Sequence, residues 1–176
     1  MRIKTTIENL DNYKIYLQVL RSIEEFLEKK GYLKVDLPVL SPALIPESYL
    51  EVFKTEFNYF NDRVNLYLTP SPELFLKRLL VKKIGDCYYL GKSFRNSEPS
   101  SSLHSFEFTM LEFYKVGVNY LKIADEVLQM LQFINFKIQN KKDGDKKYLS
   151  KIKYQNKIIS LERWEKLTVM EAFEKY

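Results

Sequence analysis

The stretch LGKSFRN at residues 90–96, followed after a short polar segment by HSFEFTMLEFY at residues 104–114, decides the fold that we predict for this chain. Both stretches are rich in Tyr, Phe and Leu, which favour strands. The segment between them, residues 97–102, contains Pro and several Ser, which interrupt a strand ladder. The pattern therefore predicts a β-hairpin whose two arms carry the quoted stretches.

Alternation along the arms predicts which side chains share a face. In the first arm, Arg95 lies on the same face as Gly91 and Ser93, and these small residues leave room for a ligand. One face of the return arm carries His104, Phe106, Phe108, Met110, Glu112 and Tyr114. Phe108 and Glu112 are about 13 Å apart at about 3.3 Å per residue, which leaves space for a nucleotide and a second small substrate.

The residue types on this face suit particular ligands. An arginine fork donates two parallel, charge-assisted hydrogen bonds to a phosphate. A phenylalanine ring offers a surface on which a purine can stack, and a carboxylate attracts an amine. The alternative to a ligand site is an ordinary hairpin with one solvated edge and an aromatic core.

The segment Phe94-Arg95-Asn96 through His104-x-x-x-Phe108 resembles motif 2 of the class II aminoacyl-tRNA synthetases, and EFTMLEFY at residues 107–114 resembles the lysyl branch of that family. The upstream TPSPELFLKRLL at residues 69–80 strengthens the resemblance. The chain is most similar to the small stand-alone members that attach a lysine-type residue to elongation factor P. The similarity covers most of residues 11–135.

The resemblance implies roles for four residues in ATP binding and chemistry. Arg95 would bind the α-phosphate and act as the catalytic residue that stabilises the adenylation transition state. Phe108 would stack on adenine, and His104 would lie near the distal phosphates. The family usually has an acid two residues after the arginine, where this chain has Ser97, so we assign the contact to Glu98, which follows it.

The resemblance also implies the second substrate, the partners and the fold. The amino-acid pocket would be lined by Glu73, Glu112 and Tyr114, although Glu73 could instead only complement the dipole of the helix it begins. The implied cofactors are ATP and Mg²⁺, and the implied partners are a lysine-like amino acid and either elongation factor P or tRNA. The fold is expected to be α+β, an antiparallel β-sheet flanked by helices. A helix and strand over residues 11–40 resemble motif 1, which implies a homodimer through that element.

Periodicity and local signals place the other elements. Helices are predicted from Asp11, as the cap, to about Lys30, from Ser71 until Gly85, and from about Tyr120 to Gln139. The buried stripe predicted for the third helix is Leu121, Ala124, Val127, Leu128, Leu131, Ile134 and Ile138. Residues 32–40 are predicted as a strand that ends or bends at the proline of position 38, and residues 52–68 as two strands around a turn at residues 61–62.

Local signals also predict the end of the chain. A charged, polar loop is predicted at residues 140–147, where a solvated turn is favoured over a nucleic-acid contact. A hairpin over residues 148–161 turns at Gln155-Asn156. A helix begins at the capping box formed by Thr168 and Glu171.

Composition limits the class of protein. With 176 residues, of which 45% are hydrophobic, we expect a single globular domain over residues 1–176. The one cysteine, Cys87, is expected in the core and permits no internal disulfide, so we expect a reducing, cytoplasmic location. One histidine and no Cys/His cluster argue against a zinc site, and no metal ligand is assigned. No apolar run approaches about 18 residues, so no membrane partner is expected.

A class II site also needs a third motif, a glycine-rich strand and helix with a second arginine. Residues 115–176 contain only Gly117 and Gly144, and their only arginine is Arg163, so the chain resembles part of a catalytic domain. The leading hypothesis is activation of lysine or a lysine-like amino acid as its adenylate and transfer to elongation factor P, weak or inactive in this chain alone. Transfer to tRNA and a non-catalytic binding or regulatory role remain alternatives.

Overall fold

A computed structural model describes residues 9–43, 50–96, 104–139 and 150–176. The elements are α1 (Leu10–Lys29), β1 (Leu33–Lys34), β2 (Leu40–Ser41), β3 (Lys54–Tyr59), β4 (Asp62–Leu68), α2 (Glu73–Val81), β5 (Cys87–Phe94), β6 (Glu107–Tyr114), α3 (Tyr120–Ile138), β7 (Lys151–Tyr154), β8 (Lys157–Ser160) and α4 (Val169–Lys175). They form two compact units. The first contains the described residues between 27 and 117, and the second contains those between 9 and 26 and between 118 and 176.

Two three-stranded sheets build the first unit. One has the order β1-β5-β6, in which β5 and β6 pair antiparallel along their whole length. The other is β2-β4-β3 and is antiparallel throughout. The predicted α+β fold, with antiparallel sheets and helices, is therefore confirmed. The structure adds one parallel pairing, between the two-residue strand β1 and β5.

The predicted strand over residues 32–40 is wrong in its length. Only Leu33–Lys34 and Leu40–Ser41 are strands, and they belong to different sheets. Pro38 lies between them and has no backbone N–H to donate to a ladder. The segment therefore leaves one sheet before it enters the other.

The helix ends differ from the prediction in three places. Pro72, not Ser71, is the N-cap of α2, although the Ser71 hydroxyl accepts a hydrogen bond from the backbone N–H of Glu73 at 3.2 Å. Asn9, not Asp11, caps α1, because its Oδ1 accepts hydrogen bonds from the backbone N–H groups of Asp11 and Asn12, each at 3.0 Å. Helix α2 ends at Val81, before the predicted Gly85. The chain turns away at Lys83 and Gly85, whose φ values of 63° and 86° are left-handed and cannot continue a helix.

The core of the first unit forms where α2 packs on the β5–β6 sheet. Leu76 of α2 is fully buried in a cluster with Val35, Cys87 and Tyr89. Partly buried side chains that surround this cluster are Leu37, Leu79, Leu80, Ile84 and Tyr114. Cys87 is a core residue, as predicted, and burial raises the pKa of its thiol. This packing places the start of α2 beside the sheet.

The second unit contains the long helix α3, which begins at its cap Asn119. The ring centroid of Phe133 in α3 lies 5.7 Å from that of Phe26 in α1. The Nζ of Lys137 forms an ion pair with Oε1 of Glu25 at 2.8 Å. The predicted helix is confirmed, but Leu131 is 40% exposed and does not belong to the buried stripe.

The buried face of α3 instead includes polar residues. Its buried residues are Glu126, Met130, Ile134 and Asn135. Asn135 can be buried because its side-chain amide has a hydrogen-bond partner: Nδ2 donates to the carbonyl oxygen of Lys151, the first residue of β7, at 3.1 Å.

Two local predictions in this unit are confirmed. Strands β7 and β8 pair around Gln155 and Asn156, whose φ values of 44° and 63° fit a two-residue hairpin turn. Thr168 and Glu171 form both hydrogen bonds of a capping box at the start of α4. The polar loop predicted at residues 140–147 lies outside the described residues. Within the described ranges, no helix is both long and apolar enough to cross a membrane.

Candidate functional site

The β5–β6 hairpin places the predicted site residues on one face of its sheet, which we call the hairpin face. The register pairs Cys87 with Tyr114, Tyr89 with Glu112, Gly91 with Met110 and Ser93 with Phe108. Paired residues of antiparallel strands point to the same side, so these eight residues share the hairpin face. The alternation predicted from the sequence is therefore confirmed.

Backbone hydrogen bonds on both sides hold Arg95 at one end of the hairpin face. Its own N–H donates to the carbonyl of Phe106 at 3.0 Å, which continues the ladder beyond β5. The N–H groups of the two flanking residues, Phe94 and Asn96, donate to Thr69 at 3.0 Å and to Glu51 at 2.9 Å. Because three separate segments fix this backbone, the origin of the arginine side chain is well defined.

The guanidinium of Arg95 lies over the ring of Phe108, with its Cζ 5.3 Å from the ring centroid. This is within the range of a cation–π interaction. The structure therefore brings together a flat cation and an aromatic ring, the two groups that the sequence assigned to a phosphate and a purine.

The other end of the hairpin face carries Glu112. The Tyr114 hydroxyl donates to Oε1 of Glu112 at 2.8 Å, and the Ser71 hydroxyl donates to Oε2 at 3.2 Å. Burial raises the pKa of the Tyr114 phenol, and the hydrogen bond to the Glu112 carboxylate raises it further. Tyr114 therefore stays a neutral hydrogen-bond donor at any physiological pH.

Glu73 reaches the same region from the first turn of α2. It accepts a hydrogen bond from Lys77, and this contact is the main reason why the pKa of Lys77 is raised; Glu112 contributes a smaller electrostatic effect. The charge of Glu73 also contributes to the raised pKa of Tyr114. The structure thus places Glu73, Glu112 and Tyr114 together.

The structure does not bring the other two predicted site residues into this group of contacts. His104 is exposed and precedes the first residue of β6. Glu98 lies outside the described residues.

The contact of Ser71 with Glu112 escaped the sequence prediction, as did the position of the Tyr89 ring over Gly91. Tyr89 is only 6% exposed, and its hydroxyl donates to the carbonyl of Lys92 at 3.0 Å. Its ring therefore lies along the strand above Gly91, where a Cβ atom would be 2.4 Å from the tyrosine oxygen. The expectation that Gly91 leaves open space for a ligand is wrong, because Tyr89 fills that space.

An open cleft lies beside the start of α2. Its walls include Tyr67, Leu74, Phe75 and Arg78, and Ser71 lines the cleft as well as contacting Glu112. The predicted site residues with described positions do not line it. We therefore place the candidate site on the hairpin face, where the charged and aromatic groups converge.

In the part of the chain that the structure describes, no group of three or more His, Cys, Asp or Glu residues is arranged to hold a metal ion. The carboxylates of Glu73 and Glu112 interact instead with Lys77, Ser71 and Tyr114.

Comparison with known families decides where this chain belongs. The family model for class II tRNA synthetases (D, K and N) matches residues 3–176. The chain is a member of this class II synthetase family.

Curated relatives in the family include proteins named elongation factor P–(R)-β-lysine ligase. This class II chain is 40% identical to the one from Vibrio cholerae over 119 residues, which is 66% of this chain and 36% of that relative. It is 38% identical to the one from Yersinia enterocolitica over 118 residues, with the same shares of both chains. The chain therefore spans about a third of the length of these relatives.

A solved structure supports the same fold. A protein named as an aspartyl-tRNA synthetase from Leishmania major matches 72% of this chain with a TM-score of 0.58, and the match covers 23% of that protein. The TM-score shows a shared fold, and because the identity is only 22%, this comparison shows the fold alone.

We predict that Gly91→Ala destabilises the first unit by about 1–3 kcal/mol, the usual cost of overpacking. The added methyl group would collide with the Tyr89 hydroxyl and ring, at 2.4 and 2.5 Å. Urea unfolding of Gly91→Ala in the wild-type and Tyr89→Leu backgrounds measures the effect. The cost should shrink when the ring is absent, and an equal cost in both backgrounds would show that the ring does not occupy this space.

We also predict that Tyr114 makes stability depend on alkaline pH. An unfolded tyrosine ionises near pH 10, whereas folded Tyr114 keeps its proton to higher pH. The stabilisation is therefore complete below about pH 10 and is lost as pH rises further, because the unfolded state then binds fewer protons. Tyr114→Phe should reduce the loss of stability between about pH 9 and 11, measured by urea unfolding. An unchanged slope would contradict the raised pKa.

Proposed function

We propose that this class II chain binds ATP and lysine, or a lysine-like amino acid, on the hairpin face and contributes to forming the aminoacyl-adenylate for transfer to elongation factor P. The observation that carries the proposal is the arrangement of the face. Arg95 and Phe108 lie at one end, and a group of two carboxylates and a neutral phenol lies at the other. The names of the curated relatives support the choice of a β-lysine-type substrate and of elongation factor P.

Arg95 and Phe108 would form the nucleotide end. Adenylation joins a carboxylate oxygen of the amino acid to the α-phosphorus of ATP, and the bond to pyrophosphate breaks. The guanidinium of Arg95 would donate hydrogen bonds to the α-phosphate, where negative charge must be stabilised in the transition state. For this, Arg95 must turn from the Phe108 ring, whose face would then be open to adenine.

Glu112 would bind an amino group of the second substrate. Its two hydrogen-bond donors, Ser71 and Tyr114, are neutral, so its negative charge remains available to an ammonium. Glu73 would bind the second amino group. Its contact with Lys77 is an exposed pair within one helix, which contributes little and can be replaced by a substrate.

The described residues fit ATP better than they fit Mg²⁺. Arg95 and Phe108 are suited to a phosphate and a purine, but the described carboxylates do not converge on a metal position. Magnesium would neutralise phosphate charge when bound with ATP, and we assign none of the described residues to it.

Homodimer formation through residues 11–40 is part of the proposal. Exposed apolar side chains in each unit support it, namely Tyr13, Ile15 and Tyr16 in the second unit and Leu33, Val39 and Leu40 in the first. Their exposed fractions range from 37% to 53%, so a partner could bury apolar area on either set.

A non-catalytic binding role is the second candidate. The observation that favours it is that residues 115–176 carry no recognisable glycine-rich third motif with a second arginine for ATP. A binding module needs the carboxylates and Arg95 but not a complete set of catalytic groups.

Exchange of labelled pyrophosphate into ATP tests the proposal. The purified chain is assayed with lysine and with (R)-β-lysine, and a product that depends on either amino acid supports adenylation. Subsequent transfer of labelled amino acid to elongation factor P or to tRNA identifies the acceptor. Binding of both substrates without exchange would favour the non-catalytic role, and absence of binding would reject both roles.

Arg95→Ala should weaken ATP binding by roughly 10-fold or more, because a charge-assisted hydrogen bond contributes about 1.5–3 kcal/mol. Isothermal titration calorimetry measures the affinity. The matched control is Lys92→Ala, which removes a cation from the opposite face of the same strand, where Lys92 pairs with Glu107 at 2.8 Å. Equal affinities in Arg95→Ala and wild type would remove Arg95 from the site.

Glu112→Gln should weaken binding of the amino acid more than binding of ATP, because it removes the charge that attracts the ammonium. The matched control is Glu107→Gln, which lies on the same strand and the opposite face. The same titrations give both affinities. An equal loss for the two substrates would indicate a structural role for Glu112.

A further inference from the structure

We infer that Ser71 is a positioning residue that sets the relative placement of Glu73 and Glu112, and that it thereby selects diamino acids by chain length. The inference rests on the proposed function for its substrate class. Ser71 itself is assigned no contact with the substrate.

A single hydroxyl links the two carboxylate-bearing elements. The Ser71 hydroxyl donates to Oε2 of Glu112 at 3.2 Å and accepts a hydrogen bond from the backbone N–H of Glu73 at 3.2 Å. A serine hydroxyl has one proton and two lone pairs, so it can make both bonds at once. The start of α2 is thus tied directly to β6.

The backbone of Ser71 is held in place by its neighbours. It lies between Pro70, which is fully buried, and Pro72, which is also buried, and both rings restrict the backbone. Thr69 is 5% exposed and its N–H donates to the carbonyl of Val39 at 2.9 Å. A hydroxyl on such a rigid segment can act as a fixed reference point for Glu112.

The Glu112 carboxylate is then fixed from two sides. Ser71, which precedes α2, donates a hydrogen bond to one carboxylate oxygen. Tyr114 of β6 donates to the other at 2.8 Å. Loss of the Ser71 bond would leave the carboxylate held by Tyr114 alone and free to rotate about its side-chain torsions. The distance between the two carboxylates would then vary.

A fixed distance between two carboxylates favours a ligand with two amino groups at a matching separation. Under the proposed function the separation suits the two amino groups of lysine, so ornithine, one methylene shorter, would span the two carboxylates less well. Flexibility of Glu112 would reduce the advantage of lysine. The inference therefore predicts a change in selectivity, which a loss of overall stability would not produce.

Three substitutions separate positioning from helix capping. Ser71→Ala removes both hydrogen bonds. Ser71→Asp keeps an acceptor for the Glu73 N–H, since aspartate caps helices well, but it has no proton for Glu112 and repels it. Ser71→Thr keeps a hydroxyl for both bonds and serves as the conservative rescue.

Calorimetric titration of the 176-residue chain with lysine and with ornithine tests the inference. The ratio of the two dissociation constants should fall by about tenfold in Ser71→Ala and Ser71→Asp, the effect of losing one hydrogen bond to a charged group, and should persist in Ser71→Thr. If Ser71→Asp keeps the wild-type ratio, or if Ser71→Ala weakens both ligands equally, Ser71 only caps α2 and the inference is overturned.

A second measurement works without any ligand. The ¹³Cζ resonance of Tyr114, assigned by its absence from Tyr114→Phe, reports the hydrogen bond to Glu112. It should shift in Ser71→Ala and Ser71→Asp and stay in place in Ser71→Thr. If the wild-type chain binds neither amino acid, the proposed function and the selection by length are both rejected. The resonance still tests whether Ser71 positions Glu112, and an unshifted resonance in Ser71→Ala would overturn that role.

Discussion

The continuous antiparallel pairing of β5 with β6 is the constraint on which the first unit depends. Eight consecutive residue pairs fix which side chains lie on the hairpin face. A slip of one residue would send Phe108 and Glu112 to the opposite side and replace them with their neighbours. The ladder continues at Arg95, where the N–H groups of the two flanking residues donate to the carbonyls of Thr69 and Glu51 and hold the backbone. Keeping this register is therefore what holds Arg95, Phe108 and Glu112 on one face.

Packing of α2 on the sheet brings Glu73, at the start of the helix, to the hairpin face. Burial of Leu76 holds the helix against Cys87 and Tyr89, and this contact brings the start of the helix to the level of Glu112. The hydrophobic core and the candidate site are therefore coupled. Substitutions in the core that tilt α2 should alter the placement of Glu73 before they unfold the protein. The second unit stabilises α3 by its own polar contacts, such as that of Asn135 with Lys151.

The electrostatics of the site differ between its two ends. Arg95 provides a permanent cation beside an aromatic ring, whereas Glu112 is held by two neutral hydroxyl groups. Neutral donors orient a carboxylate without cancelling its charge. Glu73 differs, because it forms an exposed ion pair with Lys77. In this class II family member, the two ends of the hairpin face thus differ in charge.

The sequence by itself determined the hairpin, its alternating faces, the turn at Gln155-Asn156 and the capping box of α4. These features depend on periodicity and on residues a few positions apart, so local physical chemistry is sufficient. Only the tertiary structure decided that Tyr89 covers Gly91, that Leu131 is exposed and that Ser71 binds Glu112. Ser71 and Glu112 are 41 positions apart, and no local pattern encodes a contact that exists only after α2 has packed on the sheet.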